Sequence, residues 1–384
     1  MPYPEDEMIS LLKNAGVDFT SSLPCEKIKL LLEMLPESFF HVPLTREEEG
    51  VGISAGAALS GKRPAMFVQS SGIGNMVNAL LSLTVFYKLP LSIFISHRGI
   101  YKEKIAAQVP MGYRLAKVLR GAGIPYSIIM KREDFGIIEK ILPRVYDKNM
   151  IHAFLMSPAI WETSDPGRQR PEVRSRTIQY RMKKPEPAAK KQRSSLSPLS
   201  RFEILQTIAP YITSKAVICN LGWPAKELFY VGHQPSNFYM LGSMGMASAI
   251  GLGISLMSEK EVLVIDGDGS LLMNPGILAT AAHYAPRNLT ILAIDNSSYG
   301  STGDQPTLTG SCVDLEAVAR GFGIRNTVKV STKRQISHVM KKGHSELLFI
   351  HVLARVGNQD VPDISLDHLK NKKQFQRFLK SNSS

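Results

Sequence analysis

The second half of the chain contains the run Val262-Leu263-Val264-Ile265-Asp266-Gly267-Asp268-Gly269-Ser270. Residues 262–265 predict a buried strand, residues 275–284 a helix, and the apolar run 289–294 a second strand that leads to Asp295-Asn296. The carboxyl ends of parallel strands lie at one edge of a sheet, where ligands of open α/β sheets bind. A carboxylate and an amide at that edge suit Mg²⁺ carrying a diphosphate, because Mg²⁺ prefers oxygen ligands and borrows some from phosphates. Gly-Asp-Gly alone is more often a simple turn, but the flanking strands and Asn296 favour the ligand site.

Length and composition indicate a globular protein of two domains. The 384 residues are 44% hydrophobic and 21% charged, and no apolar run is long enough to span a bilayer. The acidic start of the sequence has no secretory h-region. Three cysteines at positions 25, 219 and 312 lack CxxC spacing, which indicates reduced thiols. We therefore expect a cytoplasmic protein without a membrane partner.

The net charge of +13 is confined to two segments. Residues 166–200 hold ten Lys or Arg and two Glu, and residues 370–384 hold five Lys or Arg and no acid, so the rest of the chain is neutral. Such runs are usually solvated and flexible. Because they lack interleaved aromatic residues or a nucleic-acid motif, we expect no nucleic-acid partner.

Strand-length apolar runs alternate with helical patterns on both sides of the basic segment. In the first half the runs cover residues 65–68, 91–95, 126–130 and 150–156, and in the second they cover 216–219, 262–265, 289–294 and 347–352. This alternation predicts an α/β fold with two mainly parallel sheets, each with helices on both faces. The predicted divisions are a domain at 1–165, a basic linker at 166–200, a domain at 201–369 and a basic tail at 370–384.

The run Gly267-Asp268-Gly269 with a downstream Asn296 resembles the signature of thiamine diphosphate enzymes. The resemblance implies that the Asp268 and Asn296 side chains and the Ser298 carbonyl hold Mg²⁺, and that thiamine diphosphate is the cofactor. It implies a pyrimidine-binding first domain and a diphosphate-binding second domain. The family usually has two asparagines where this chain has Asp295-Asn296. By family position, the residues that contact the cofactor are Gly222, Ser243, Met244, Gly267, Gly269, Ser270 and Tyr299, with Met244 between its two rings.

The family also supplies a glutamate at the start of a helix, nine residues before a glycine, which activates the aminopyrimidine. Counting back from Gly56 selects Glu47, although a shift of one or two residues selects Glu48 or Glu49. A carboxylate of this kind acts best in a dry site, where its hydrogen bond is strong. The alternative is an acidic first helical turn that is stabilised by the helix dipole.

Several loops resemble those of the sulfopyruvate and phosphonopyruvate decarboxylases, within the 2-oxo acid decarboxylases that use thiamine diphosphate. They include residues 69–75, 96–99, 107–112, 237–240 and 299–307. A second anionic group on a 2-oxo acid needs a cation, and we predict Arg98 for it, assisted by Ser71 and Asn75. The alternative for Arg98 is a structural ion pair at a strand end. His97 is the predicted proton donor, although loop histidines more often have no such role.

The likeness covers both halves and is greatest to sulfopyruvate decarboxylase with its two subunits fused. It implies decarboxylation of 3-sulfopyruvate to sulfoacetaldehyde and CO₂ in coenzyme M biosynthesis. The cofactor supplies the electron sink, and the protein positions it. The family also implies a homodimer or a dimer of dimers. The alternatives are phosphonopyruvate decarboxylase and a non-catalytic binding protein of the same fold.

Overall fold

The computed structural model describes residues 3–162 and 199–381. The predicted linker, residues 166–200, lies outside the described residues except for Leu199 and Ser200. Within the two described ranges, no helix combines the length and the apolar character that a membrane crossing requires.

The first half forms one parallel sheet of six strands in the order β2-β1-β3-β4-β6-β5. Its strands are β1 Phe19–Ser22, β2 Phe40–Pro43, β3 Pro64–Gln69, β4 Leu91–Ser96, β5 Tyr126–Ile129 and β6 Ile151–Met156. Its helices are α1 Pro4–Asn14, α2 Lys29–Ser38, α3 Glu47–Leu59, the short α4 Val77–Ala79, α5 Val109–Gly121 and α6 Phe135–Asp147. All the pairings between these strands are parallel, and the loops after β2, β3 and β4 lie at one edge.

The second half forms another parallel sheet of six strands, in the order β13-β14-β10-β9-β7-β8. Its strands are β7 Ala216–Cys219, β8 Asn237–Tyr239, β9 Val262–Gly267, β10 Leu289–Asp295, β13 Asn326–Val330 and β14 Leu348–Leu353, and a small antiparallel pair comprises β11 Ser298–Tyr299 and β12 Gln305–Pro306. Its helices are α7 Arg201–Ile208, α8 Trp223–Gly232, α9 Ala247–Met257, α10 Asp268–Met273, α11 Ile277–Tyr284, α12 Leu315–Gly321, α13 Lys333–Lys341 and α14 His368–Lys380.

The predicted α/β fold with two parallel sheets is confirmed, and several elements differ from the sequence patterns. The helical pattern at residues 75–83 is broken into a 3₁₀ turn, three α residues and a π-helical segment at Leu80–Val85. Strands β1 and β2 were not predicted, because they are short and carry polar side chains. Helix α14 occupies residues 370–380 of the basic segment, where no helix was predicted; its Phe375 is fully buried.

Buried apolar residues form three layers around the two sheets. One layer lies between the sheets and contains residues of both halves, among them Ile53, Ile250 and Phe375. A second layer lies under α1, α2 and α6 of the first half, and a third lies under α7, α8 and α13 of the second half. Each sheet is therefore covered on both faces, which fits its nearly continuous apolar strands.

Helices α3 and α9 form the closest contact between the halves, and glycines permit it. A Cβ on Gly56 would lie 2.2 Å from the Ile250 carbonyl oxygen, and a Cβ on Gly253 would lie 2.1 Å from the Ile53 carbonyl oxygen. Gly52 meets Ala249 in the same direction along both helices. The two helices therefore run side by side in parallel, and their amino ends, Glu47 and Ala247, lie at the same end of the interface.

Candidate active site

The Asp268–Asn296 pair lies where the sequence predicted it, at the carboxyl edge of the second sheet. Strands β9 and β10 are parallel neighbours, and Gly267 is opposite Ile294 in their register. Asp268 begins α10 directly after β9, and Asn296 follows the last residue of β10. Both side chains are buried. The chain thus brings a carboxylate and an amide to adjacent strand ends.

Asp268 is held by two hydroxyl groups from the segment after β12. The Thr307 and Thr309 hydroxyls both contact Oδ2 of Asp268, and Thr309 lies 3.0 Å from it. Burial raises the pKa of Asp268, the Thr307 hydrogen bond opposes that shift, and the charge of Asp295 adds to it. A buried carboxylate with a raised pKa is a site where a bound cation would be stabilising.

Asn296 and Ser298 are arranged around a tight turn between β10 and β11. The Asn296 side-chain oxygen accepts a hydrogen bond from the Ser298 amide at 3.3 Å. Within the described residues, the buried Asn296 Nδ2 has no hydrogen-bond partner. The Ser298 hydroxyl donates to Asp304 at 2.8 Å. These contacts hold the turn after β10 that carries Ser298.

The loop before α9 has a strained backbone that faces α10. Ser243 has φ +58° and Gly245 has φ +91°, and the Gly245 amide donates to the Ser270 hydroxyl at 3.0 Å. Met244 lies between them and is half-buried. Left-handed backbone at a non-glycine residue such as Ser243 often marks a functional site, since surrounding contacts must hold it. The Ser243 hydroxyl also lies 2.7 Å from that of Ser82 in the first half.

The remaining predicted cofactor residues border the same edge. Gly222 precedes α8 with φ +81°, and a Cβ there would lie 2.5 Å from the Ser301 hydroxyl. The Tyr299 ring packs on Gly269, where a Cβ would lie 2.2 Å from a ring carbon. Gly267 ends β9, and its amide donates to Asp266 at 2.9 Å. These residues form one rim around Asp268.

The structure distinguishes the three acids at the start of α3. Glu47 is buried, accepts a hydrogen bond from Asn75 Nδ2 at 2.9 Å, and lies against Gly72, where a Cβ would be 2.4 Å from its Oε1. Glu48 is partly exposed beside Arg46, and burial raises its pKa. Among the three, Glu47 faces the loop after β3, and this geometry supports its choice as the activating carboxylate.

Glu49 connects the two halves. It is fully buried, and its two oxygens accept hydrogen bonds from Thr45 at 2.5 Å and from Thr280 at 2.6 Å. Burial raises the pKa of Glu49, and the two threonine hydrogen bonds oppose that shift. Thr280 belongs to α11, so this contact attaches the first turn of α3 to the second half. The Glu49 carboxylate is therefore used in the contact between the two halves.

Arg98, the predicted substrate cation, is engaged in a buried ion pair. Its guanidinium donates two hydrogen bonds of 2.7 Å to the Glu103 carboxylate, and both side chains are 4% exposed. The Arg98 hydrogen bonds lower the pKa of Glu103 to about 2. This is the structural ion pair that was the alternative reading. In this arrangement the charge of Arg98 is already neutralised, so the geometry does not favour a substrate contact.

His97 and Ser71 lie on neighbouring loops of the first sheet. His97 is buried, and its Nε2 lies 2.9 Å from the Gly112 carbonyl oxygen, so that nitrogen carries the proton. Burial lowers the pKa of His97, and the Gly112 hydrogen bond opposes that shift. A ring that burial keeps neutral, with its N–H bonded to Gly112, has no proton free to donate, so the geometry does not favour the predicted donor role. Ser71 is half-buried beside Gly72.

The residues present fit Mg²⁺ and a diphosphate. The ligand set is a carboxylate, an amide and a carbonyl, all hard oxygen donors that Mg²⁺ prefers. Two buried amide nitrogens near the edge, Asn296 Nδ2 and Asn274 Nδ2, have no partner within the described residues. Buried polar groups are normally bonded, which indicates that this edge receives polar atoms from a ligand.

Sequence reasoning missed several residues that build the site. Thr307 and Thr309 contact Asp268, Thr280 contacts Glu49, and Asn274 lies beside Gly245. Only Thr307 was within a quoted motif. Their roles depend on contacts between distant segments, for which one sequence carries no local signal.

Two family models match the chain. Residues 5–110 match the N-terminal TPP binding domain of thiamine pyrophosphate enzymes, and residues 221–352 match the C-terminal TPP binding domain. The predicted activator Glu47 lies in the first match, and Asp268 and Asn296 lie in the second. The two halves are thus thiamine diphosphate-binding domains.

Relatives of known activity resemble the chain over its length. Sulfopyruvate decarboxylase of Methanosarcina acetivorans is 42% identical over 98% of this chain and 97% of its own. The separate beta and alpha subunits of the sulfopyruvate decarboxylase of Methanococcus maripaludis are 41% and 49% identical over 47% and 29% of this chain, and over 98% and 69% of their own lengths. Phosphonopyruvate decarboxylase of Streptomyces hygroscopicus is 31% identical over 83% of this chain and 79% of its own.

Among solved structures, benzoylformate decarboxylase from Polynucleobacter necessarius superposes with a TM-score of 0.70 at 14% identity, covering 94% of this chain and 100% of that one. At this identity the likeness shows the fold alone. Because the full-length match to the Methanosarcina acetivorans enzyme joins what are two subunits in Methanococcus maripaludis, the halves correspond to fused alpha and beta subunits. The chain therefore belongs to the sulfopyruvate decarboxylase family of thiamine diphosphate-dependent 2-oxo acid decarboxylases.

Proposed function

We propose that the chain decarboxylates 3-sulfopyruvate to sulfoacetaldehyde and CO₂, using thiamine diphosphate and Mg²⁺. The observation that carries this proposal is that one chain keeps the buried Glu47 and the Asp268–Asn296 pair within a full-length match to a sulfopyruvate decarboxylase. These buried polar groups argue against a merely structural protein of this fold, because a binding protein has no need of a dry activating carboxylate.

The side chains have distinct tasks in this proposal. Asp268, Asn296 and the Ser298 carbonyl hold the metal, and the rim that includes Ser243, Met244 and Tyr299 holds the cofactor. Glu47 supplies the activating carboxylate, which lies against Gly72 and accepts a hydrogen bond from Asn75. When bound, thiamine diphosphate would supply the electron sink for the bonding pair that CO₂ leaves behind. The reaction consumes one proton, which replaces the carboxylate on the product carbon.

The ion pair between Arg98 and Glu103 favours a sulfonate over a phosphonate as the second anionic group of the substrate. A sulfonate carries one negative charge at neutral pH, whereas a phosphonate carries nearly two. Since Glu103 neutralises Arg98, the predicted substrate contacts that remain are neutral donors such as Ser71 and Asn75. Neutral donors stabilise a single charge better than a double one, because the second charge demands a fixed cation.

We further propose that the active assembly is a homodimer or a dimer of dimers. Three apolar side chains near the cofactor rim are at least half exposed, namely Leu241 at 50%, Met273 at 53% and Leu308 at 63%. Apolar side chains clustered at a site typically mark an interface with another surface. Light scattering of the purified protein should show at least twice the mass of 42.4 kDa, and a monomer that retains activity would contradict this assembly.

The direct test is CO₂ release with thiamine diphosphate and Mg²⁺, comparing sulfopyruvate, phosphonopyruvate and pyruvate. We expect sulfopyruvate to be preferred, and the Asp268→Ala protein provides the matched background. Preference for phosphonopyruvate would assign phosphonopyruvate as the substrate instead. The absence of CO₂ release from all three substrates would reject the proposal. The product also suggests a place in coenzyme M biosynthesis, which a gene deletion rescued by sulfoacetaldehyde would support.

A further inference from the structure

A row of buried polar side chains extends from Asp268 away from the predicted ligand site. Thr309 lies between two carboxylates, 3.0 Å from Asp268 Oδ2 and 2.7 Å from Asp295 Oδ1. On the far side, His351 Nε2 lies 2.9 Å from Asp295 Oδ2. Each of these four side chains is at most 3% exposed. This row of side chains therefore links strand β14 to the first residue of α10.

The hydroxyl contacts fix the orientation of the Asp268 carboxylate. Thr307 and Thr309 both contact Oδ2, and neither contacts Oδ1. Each hydroxyl has one proton, so Thr307 donates to Asp268, and the proton of Thr309 goes to Asp268 or to Asp295 at any one time. Rotation of the carboxylate would break contacts to buried oxygens, at a cost in free energy. The two hydroxyls thus occupy Oδ2 and leave Oδ1 without a hydroxyl contact.

Thr309 is itself held by a buried acid–histidine pair. His351 donates from Nε2 to Asp295, and its Nδ1 accepts from the Glu316 amide at 3.4 Å and lies 3.5 Å from Asp314. Because the Asp295 carboxylate is the acceptor in this pair, Nε2 of His351 carries a proton. Asp295 stands where the family usually has asparagine. A carboxylate accepts from both His351 and the Thr309 hydroxyl, whereas the nitrogen of an asparagine cannot accept.

We infer that Thr309, anchored by the Asp295–His351 pair, is a positioning residue that fixes the Asp268 carboxylate for metal binding. Groups that hydrogen-bond a metal ligand set its orientation, and their loss typically weakens metal affinity or activity 10–100-fold. The inference rests on the proposed metal role of Asp268, but it adds residues that contact neither metal nor substrate.

The test compares Thr309→Val with Thr309→Ser. Valine keeps the shape and removes the hydroxyl, whereas serine keeps the hydroxyl. Calorimetric titration of Mg²⁺ at saturating thiamine diphosphate should show affinity about 10–100-fold weaker for Thr309→Val and within about threefold of the parent for Thr309→Ser. Ser311→Ala, which removes an exposed hydroxyl nearby, is the matched control and should bind like the parent.

The far end of this row of side chains is tested with His351→Gln and His351→Phe. Glutamine retains a donor for Asp295 and should preserve Mg²⁺ affinity, whereas phenylalanine removes the donor and should weaken it. Parent-like affinity in Thr309→Val, or equal losses in Thr309→Val and Thr309→Ser, would overturn the inference; parent-like affinity in His351→Phe would overturn the anchoring by the pair.

The readout separates this inference from the proposed function. Failure of the substrate assignment changes which 2-oxo acid releases CO₂ but leaves Mg²⁺ titrations unaffected. If Asp268→Ala itself binds Mg²⁺ normally, the metal assignment fails first. Melting temperatures of the metal-free variants should fall by no more than a few degrees, so a general loss of folding is distinguished from a lost orientation.

Discussion

Replacing Thr280 with valine should weaken the attachment between the two halves. Thr280 of α11 donates a hydrogen bond of 2.6 Å to Glu49 of α3, and Glu49 is fully buried. Valine has nearly the same shape, so the packing is preserved and only the donor is lost. One Glu49 oxygen keeps its contact with Thr45, and the other becomes a buried acceptor without a partner.

The expected loss of stability follows from that unsatisfied oxygen. A hydrogen bond to a charged group contributes about 1.5–3 kcal/mol, so we expect Thr280→Val to lose about 2 kcal/mol. The unfolding entropy is roughly 2.1 cal/mol/K per residue, so for 384 residues unfolding together the melting temperature should fall by about 2–3 °C. Differential scanning calorimetry at neutral pH resolves a shift of this size.

Glu49→Gln provides the matched comparison. Burial raises the pKa of Glu49, so the folded protein binds that proton more tightly than the unfolded chain does. The loss of stability caused by burying the ionised Glu49 is absent below the pKa that Glu49 has in the unfolded chain. It grows as pH rises through the pKa of Glu49 in the folded protein. Glutamine carries no charge and can still bond both threonines, so Glu49→Gln should match or exceed the parent at pH 8. The reasoning is refuted if Thr280→Val melts like the parent.

Four further predictions address the site and the chain connection. Glu47→Gln should lower turnover by about 10²–10⁴-fold while calorimetry shows parent-like cofactor affinity; undiminished CO₂ release would reject Glu47 as activator. Arg98→Met should lower the free energy of unfolding by about 3–5 kcal/mol, because it leaves the buried Glu103 without its partner. A higher KM for sulfopyruvate with an unchanged melting temperature would instead identify Arg98 as a substrate contact. Because the pKa of Glu103 is lowered to about 2, the stabilisation by this pair should be lost as pH falls from about 4.5 towards 2, as acid melting curves can check. Cleavage at a protease site inserted within residues 163–198 should leave the two halves co-eluting in gel filtration, and separate elution would show that the connection is required.

The fold was predictable where apolar runs make strands, and it was missed where polar residues do. Strand β1 reads Phe-Thr-Ser-Ser, a pattern that predicts no core strand, yet all four of its residues are buried. Its Thr20 and Ser22 hydroxyls lie 2.9 and 3.1 Å from the two ring nitrogens of His41 on the neighbouring strand. Helix α14 was hidden by its lysines, although Phe375 and Leu379 share one face of the helix.

The site was predictable as far as local motifs extend. Asp268 and Asn296 are marked by the strands that deliver them, and their placement at one sheet edge follows from parallel topology. The threonine that holds Asp268 lies 41 positions from it, and the partner of Glu49 lies 231 positions away. The pairing of Arg98 with Glu103 spans five positions, but residue types alone do not decide between an ion pair and a substrate contact. Side-chain pairing therefore had to come from the structure.

The contacts between the halves explain how one chain can do the work of two subunits. The described interface includes α3 against α9, the Glu49–Thr280 hydrogen bond and the stacked rings of Phe86 and His368, whose centroids are 4.1 Å apart. All of these contacts join residues outside the segment that connects the halves, so they are available equally to separate subunits. A covalent connection raises the effective concentration of one half at the other without requiring a new contact. The interface then holds its geometry by packing and hydrogen bonding, and the fully buried Glu49, two residues after Glu47, contributes one of those hydrogen bonds.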